Sequence, residues 1–149
     1  MTLISLIQQT NIDEKIKNAI HMQEKEKGFR NYFEQNGGNN ELTKIDIQQT
    51  GYAHIKEKLT EQLAKDHYNV VFVTNSRVAT VAKYFEEHKI KNIKLIGYDF
   101  LEDNINYLKS KTIDFLICQK PQEQGYRGLM SLYNHLVLNT SIDKEQFMP

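Results

Sequence analysis

The sequence predicts an α/β fold: a doubly wound parallel five-stranded sheet with helices on both faces. Short apolar runs alternate with longer segments in which apolar residues recur every three or four positions, as they do in strands and helices. Val70–Val73 is apolar throughout, which is typical of a strand buried on both faces. The connections are short, and this alternation favours parallel strands joined by right-handed crossovers.

The first part of the chain contains two strands and a helix. Leu3–Ile7 is the first predicted strand, and Asn11–Ile20 is a helical or loop entry to the helix Met22–Gln35. Gly37-Gly38 ends that helix. Leu42–Ile47 is the second strand.

Two helices flank the strand Val70–Val73. The first follows the break at Thr50-Gly51, and Ser76 is suited to cap the second. Their apolar faces are Ile55, Leu59 and Leu63 in the first, and Val78, Ala82 and Phe85 in the second.

The last strands are Ile93–Ile96 and Phe115–Cys118, with the helical face Leu101, Ile105 and Leu108 between them. We expect Cys118 to be a buried thiol, because it ends an apolar run. Pro121 suits the start of a helix that runs to about Leu138. The side chains expected to be buried on that helix are Leu129, Leu132, Tyr133 and Leu136.

Composition fits one globular domain spanning residues 1–149. The hydrophobic fraction is 40% and the charged fraction 26%. The 19 basic residues balance the 19 acidic ones, which argues against nucleic acid as the main partner of this segment. Because no apolar run reaches about 18 residues, we expect no membrane partner.

The motifs of common enzymes are absent from the sequence. No G-x-G-x-x-G follows the first strand, and there is no phosphate-binding P-loop and no G-x-S-x-G elbow. Asp99 could suggest a phosphorylated receiver domain, but no acidic cluster follows the first strand. Cysteine and histidine show no metal-binding spacing. We therefore expect no catalytic residues, no metal and no cofactor.

Polar residues follow three of the predicted strands. Asn75, Asp99 and Gln119 come directly after apolar runs, and Tyr52 lies just past the second strand. Strand carboxyl ends share one edge of a parallel sheet, where ligands bind. Amides and a carboxylate suit the paired hydroxyls of a sugar, and an aromatic ring suits its apolar face.

Each of these residues also has a purely structural interpretation. Asn75 could satisfy backbone groups in a turn, and Asp99 could cap the helix near Leu101. Gln119 could be a solvated turn residue, and Tyr52 could serve packing alone.

These residues lie in segments that resemble a known superfamily. NVVFVTNSRVATVAKYFEEHKIKNIKLIGYDF is similar to the core of the lactose-repressor (LacI/GalR) and periplasmic sugar-binding superfamily. IDFLICQKPQEQGYRGLMSLYNHL and EKEKGFRNYF extend the similarity over nearly the whole chain.

The resemblance implies one lobe of a type I periplasmic-binding-protein-like fold, the carboxyl-terminal one. The other lobe and any DNA-binding headpiece are outside this sequence, and the final crossover strand would begin after Pro149. Asn75, Asp99 and Gln119 correspond to sugar-contacting positions, and Tyr52 falls near an aromatic contact position. Lys25 stands where the family usually has Arg before Gly-Phe, so it is a ligand-binding candidate or a solvated helix residue.

The resemblance favours the effector-binding lobe of a LacI-type transcriptional regulator. Such a protein would be cytoplasmic, would bind a carbohydrate-like effector, and would contact DNA only through its headpiece. It would be a homodimer, with Tyr84, Leu129 and Tyr133 as apolar surface for association. The alternative is the same lobe of a solute-binding protein that delivers sugar to an ABC transporter. A flavodoxin-like enzyme is disfavoured by the missing phosphate loops.

Overall fold

The computed structural model describes residues 2–8, 14–36, 41–47 and 51–142. In these ranges, five strands alternate with five helices. The elements are β1 Thr2–Gln8, α1 Glu14–Gln35, β2 Glu41–Ile47, α2 Tyr52–Lys65, β3 Val70–Val73, α3 Val78–Glu87, β4 Lys94–Tyr98, α4 Glu102–Lys109, β5 Phe115–Ile117 and α5 Pro121–Leu138.

The strands form one sheet in the order β2-β1-β3-β4-β5, and every neighbouring pair is parallel. From β1 the chain steps to β2 on one side, and then returns to β3, β4 and β5 on the other. This reversal places a topological switch point between β1 and β3, and all carboxyl ends lie on the same edge. The predicted α/β class with a parallel sheet is confirmed.

One face of the sheet is covered by α2 and α3. Because side chains alternate across a strand, Val71, Val73 and Leu95 point to this face and belong to the main buried cluster. The helix residues of that cluster include Ile55 and Leu59 from α2, and Val78, Val81, Ala82, Tyr84 and Phe85 from α3. The apolar faces predicted for these helices are therefore the ones that are buried.

The opposite face of the sheet is covered by α1. The ring of Phe29 stacks on Phe72 with the centroids 4.3 Å apart, and Phe72 contacts Tyr98 on the next strand at 5.6 Å. Phe72 and Tyr98 alternate with the residues that face α2 and α3. Helices thus lie on both faces, as the sequence predicts.

The start of α3 lies unusually close to β4. A Cβ built on Gly97 would overlap three carbons of Val78, the farthest of them only 2.6 Å away. Glycine is thus required for a steric reason, since any side chain would push α3 away from the sheet. The predicted cap is wrong in detail, because Arg77 rather than Ser76 is the N-cap and α3 has no side-chain cap hydrogen bond.

The chain divides into two compact units, Met1–Ile117 and Cys118–Pro149. In the described part of the second unit, α5 begins with Pro121 at its first turn, as predicted. Cys118 is exposed, so the prediction of a buried thiol is wrong: β5 ends at Ile117, one residue before it.

The apolar residues expected to be buried on α5 are exposed: Leu129, Leu132, Tyr133 and Leu136. Within its unit α5 is the only described helix, and a single helix cannot bury its own apolar face. Tyr84, expected to offer surface for association, is only 3% exposed. Its ring is part of the core, so it cannot form a dimer contact.

Candidate functional site

The carboxyl ends of β3 and β4 lie side by side. These strands are paired with Phe72 opposite Ile96, and neighbouring strands are about 4.8 Å apart. Asn75 lies in the turn after β3, and Asp99 directly follows β4. The structure therefore places two of the predicted site residues at the same edge of the sheet.

Lys25 reaches this edge from α1. Its Nζ donates a hydrogen bond to the Thr74 carbonyl oxygen at 3.3 Å and lies 4.0 Å from the centre of the Tyr98 ring. Thr74 precedes Asn75, and Tyr98 precedes Asp99. The ammonium group is thus held between the two strand ends, and Lys25 is not a solvated helix residue.

The packing of α1 explains this position. A helix that follows a strand in a parallel sheet runs antiparallel to it, so earlier helix residues lie nearer the carboxyl edge. Phe29 stacks on Phe72, and Lys25 lies one turn earlier on the same side of the helix. One turn spans about 5.4 Å, close to the length of two strand residues, which leads from Phe72 to Thr74.

Partial burial controls the electrostatics of the edge. It lowers the pKa of Lys25, and the nearby Asp99 carboxylate offsets part of that effect. Burial also raises the pKa of Tyr98, with a further contribution from Asp99. Lys25, Tyr98 and Asp99 therefore form one electrostatic cluster, in which a ligand hydroxyl would meet a cationic donor and an anionic acceptor.

Asp99 adopts a left-handed backbone conformation, with φ at 68°. Aspartate tolerates this region better than most residues do. Its backbone N–H donates to the Ile117 carbonyl oxygen at 3.0 Å, which ties the end of β4 to β5. The N-cap position of α4 is taken by Leu101, which makes no side-chain cap hydrogen bond.

The side-chain amide oxygen of Asn75 stabilises the turn in which the residue lies. Its Oδ1 accepts a hydrogen bond from the Arg77 backbone N–H at 3.0 Å, which is the local structural role considered for it. This bond fixes the side-chain orientation and uses only the oxygen. The Nδ2 group remains a donor suited to a ligand hydroxyl.

Asn104 is a residue of this region that sequence reasoning missed. Its side chain is 1% exposed. Its Oδ1 accepts from the Ala79 backbone N–H at 3.1 Å. Its Nδ2 lies 3.0 Å from the carbonyl oxygens of Ser76 and Asp99, and 3.1 Å from that of Tyr98. One amide thereby joins the turn after β3 to the end of β4.

The sequence did contain a signal for Asn104. It lies three residues after Leu101 and four before Leu108, on the side of α4 that carries the apolar residues. A polar residue at such a position requires buried hydrogen-bond partners. The sequence cannot identify those partners, because two of them are more than 20 residues away and the other two lie at the end of β4.

Tyr52 makes its contacts at the last turn of α3. Its hydroxyl donates to Glu87 Oε2 at 2.5 Å, and Lys83 Nζ lies 4.5 Å from the ring centre. Burial and this hydrogen bond raise the pKa of Tyr52 to about 12. Among the described residues, no hydrogen bond or ring contact joins Tyr52 to Asn75 or Asp99. Its predicted role as an aromatic site residue gains no support from these contacts.

Gln119 belongs to the second compact unit. Its carbonyl oxygen accepts a hydrogen bond from Gln124 Nε2 at 2.7 Å, one turn into α5. This bond organises the loop before the helix. The role of the Gln119 side chain in ligand binding stays a prediction.

The edge offers an amide donor, an ammonium donor and a carboxylate acceptor. This set can hold hydroxyl groups but does not include a nucleophile with an adjacent base. In the described ranges, no three His, Cys, Asp or Glu residues are grouped so that they could hold a metal ion. Of the described helices, none has the length and hydropathy needed to cross a bilayer.

Comparison with known proteins matches most of the chain to one family. The model of the periplasmic binding protein domain matches residues 12–140. No curated protein matches the chain significantly.

Solved structures show the same fold at low sequence identity. A protein from Bacteroides fragilis, assigned as a LacI transcriptional regulator, aligns with a TM-score of 0.77 and 22% identity, covering 99% of this chain and 50% of that one. An ABC transporter solute-binding protein from Agrobacterium vitis, bound with α-D-tagatopyranose, aligns with a TM-score of 0.72 and 23% identity, covering 95% and 46%.

A glucose-galactose binding protein from Geobacillus stearothermophilus aligns with a TM-score of 0.71 and 21% identity, covering 95% and 49% of the two chains. The chain therefore spans about half the length of the solved structures it matches. These structures and the matched family are binding or regulatory proteins.

Proposed function

This chain belongs to the periplasmic binding protein domain family, and from that premise we propose that it is the effector-binding lobe of a LacI-type transcriptional regulator. The effector is a small carbohydrate that binds at the carboxyl edge of β3 and β4. No chemical step is part of this function. The regulator would work in the cytoplasm as a homodimer, and would contact DNA through a headpiece outside this sequence.

The observation that carries the proposal is the convergence of Lys25, Asn75 and Asp99. A helix and two strand ends, which are far apart in the sequence, bring a cation, an amide and a carboxylate to one edge. Sugar hydroxyls both donate and accept hydrogen bonds, so a site for them needs groups of both kinds. A charge-assisted hydrogen bond from a hydroxyl to Asp99 would provide the strongest contact.

Closure of two lobes would couple binding to regulation. A single lobe provides one wall, and a sugar resting on it stays largely exposed to water, so each hydrogen bond replaces one made to solvent. A second lobe that closes over the ligand excludes that water. A ligand that binds the closed state more tightly shifts the equilibrium towards it, and DNA affinity changes if the headpieces sense the closure.

The second candidate is the same lobe of a solute-binding protein that delivers sugar to an ABC transporter. Two of the matched solved structures favour it, since one is an ABC transporter solute-binding protein and the other a glucose-galactose binding protein. The ligand contacts at the edge would be the same in both cases. Only the coupling to a DNA-binding headpiece or to a transporter would differ.

One experiment on the full-length protein that contains this chain separates the candidates. Electrophoretic mobility of DNA fragments flanking its gene would be measured with and without a panel of monosaccharides, and calorimetric titration would measure binding of the same sugars. A DNA complex whose stability changes with one sugar supports the regulator. Sugar binding without any DNA complex supports the transport protein, and the absence of sugar binding contradicts both.

A further inference from the structure

A cavity lies at the opposite, amino edge of the sheet. It has a volume of about 520 Å³ and is formed by the end of α3, the segment leading into β4, and the turn between α4 and β5. These segments precede β4 and β5, whereas Asn75 and Asp99 follow strands. The cavity is therefore separate from the carbohydrate site proposed above, and the inference does not rest on that site.

Four lysines line this cavity, and they outnumber its acidic residues. The lysines are Lys89, Lys91, Lys94 and Lys111, and the acids are Glu86 and Asp114. One of those acids already accepts hydrogen bonds from neighbouring residues. Asp114 accepts from Lys94 Nζ at 2.8 Å and from the Leu95 backbone N–H at 2.9 Å.

Lys89, Lys91 and Lys111 differ from Lys94 in this respect. Within the described part of the chain, Lys89, Lys91 and Lys111 form no ion pair, whereas six other lysines do: Lys44, Lys56, Lys58, Lys65, Lys94 and Lys120. An anion entering the cavity would therefore meet cations that need not leave a carboxylate first.

The ends of α3 and α4 do not need these lysines as caps. The Lys89 and Ile90 backbone N–H groups donate to the carbonyl oxygens of Glu86 and Phe85. At the end of α4, the Lys111 N–H donates in the same way to Leu108. Backbone donors thus already satisfy these carbonyl groups, so capping does not explain why lysines are concentrated here.

Two of the lysines occupy positions where glycine is usual. Lys89 has φ at 54° and Lys111 has φ at 62°, and each lies two residues after the last residue of a helix. Helices commonly end on a left-handed glycine, because a side chain is disfavoured there. The turn geometry alone would favour glycine at both places, yet the sequence has a cation at each.

The remaining lining suits a small organic molecule. Ser110 and Thr112 supply hydroxyl groups at the rim, while Phe85, Ile90 and Ile93 provide an apolar floor. A volume of this size is in the range of small-molecule pockets. We propose that the cavity binds a phosphorylated small molecule, with its phosphate groups on Lys89, Lys91 and Lys111 and its apolar part on the floor.

The test is calorimetric titration of the full-length protein with adenosine 5′-diphosphate and with inorganic pyrophosphate as probes. The variant is Lys89→Asn with Lys111→Asn, because asparagine tolerates the left-handed region and so preserves both turns. The control, Lys58→Gln with Lys65→Gln, removes the same charge from the outer surface of α2, where both lysines pair with Glu61. Melting temperatures verify that both variants fold.

We expect adenosine 5′-diphosphate to bind, and the cavity variant to bind it about tenfold more weakly, since two charge-assisted contacts are lost. The control variant should bind like the original protein. Tighter binding of adenosine 5′-diphosphate than of pyrophosphate would support a role for the apolar floor. Equal losses in the two variants would show non-specific attraction of anions, and no binding of either probe at millimolar concentration would equally overturn the proposal.

Discussion

Asn104 holds Asp99 by its backbone, since the Nδ2 of the buried amide lies 3.0 Å from the Asp99 carbonyl oxygen. The same side chain accepts a hydrogen bond from the Ala79 N–H at the start of α3. The candidate site therefore depends on a buried amide that fixes the two strand ends relative to each other.

Replacing Asn104 should destabilise the fold. Asn104→Ala leaves the Ala79 N–H and the carbonyl groups of Ser76 and Tyr98 buried without their partner, and each unsatisfied group costs about 1–3 kcal/mol. We expect the free energy of unfolding to fall by about 2–4 kcal/mol, as measured by urea denaturation. Asn106→Ala, on the exposed side of the same helix, is the control and should change it by less than about 0.5 kcal/mol. Equal stability of the two variants would show that the Asn104 hydrogen bonds do not contribute to the free energy of unfolding.

The close contact between β4 and α3 predicts that alanine at Gly97 lowers stability, whereas alanine at Gly28 raises it and serves as the control. Gly97→Ala adds a Cβ that overlaps the stiff Val78 side chain, so α3 must shift. Overpacking of this kind costs about 1–3 kcal/mol of stability.

At Gly28, in α1, a Cβ would have open space around it. Gly28→Ala should therefore stabilise the protein by about 0.5–1 kcal/mol, because alanine is the better helix former. Thermal unfolding of both variants measures the difference. A Gly97→Ala variant as stable as the original protein would contradict the close packing of α3 on β4.

The raised pKa of Tyr52 predicts that the stability of the fold depends on pH in the alkaline range. Its pKa is raised from 10.0 to about 12 in the folded protein, first by burial and then by its hydrogen bond to Glu87. The folded chain therefore keeps a proton that the unfolded chain loses. The stabilisation is complete below pH 10 and is lost as the pH rises through about 12.

Ultraviolet titration of the tyrosinate band, compared with Tyr52→Phe, isolates this residue. Its ionisation should appear near pH 12, and Glu87→Gln should move it towards its ordinary value of 10.0. Glu57→Gln, on an exposed position of α2, should leave it unchanged. An ionisation near the ordinary value in the original protein would show that Tyr52 does not pair with Glu87.

Local patterns in the sequence predict the elements but not their long-range contacts. The apolar runs around Val71 and Leu95 are strands, and the spacing of Ile55 with Leu59 gives a helix, because each pattern lies within one element. The alternation of these elements is enough to predict a parallel sheet.

The site residues show where such patterns stop being informative. Asn75 and Asp99 could be predicted at one edge, since each directly follows a strand. The position of Lys25 between them depends on how α1 crosses the sheet, which the stacking of Phe29 on Phe72 decides. Patterns within single elements do not predict this position, because they do not show which aromatic residue of α1 packs against which residue of the sheet.

Tyr52 and Cys118 illustrate the same limit. Tyr52 lies near the expected edge in sequence, but its hydroxyl reaches Glu87, 35 residues away on another helix. Cys118 continues an apolar run, yet the strand ends one residue earlier and leaves the thiol exposed. Strand ends depend on pairing with neighbours, and composition alone does not fix them.

The most direct test of the carbohydrate site is a calorimetric titration of the full-length protein and its Asp99→Asn variant with a panel of monosaccharides. Asparagine accepts the left-handed backbone at this position, so the melting temperature should be nearly unchanged. Affinity for the sugar that binds should fall by about tenfold or more, because a charge-assisted hydrogen bond contributes about 1.5–3 kcal/mol. Asp103→Asn, an exposed acid on α4, is the control and should leave affinity intact. Unchanged affinity of the Asp99→Asn variant, with or without a loss of stability, would contradict a carbohydrate site at the edge of β3 and β4.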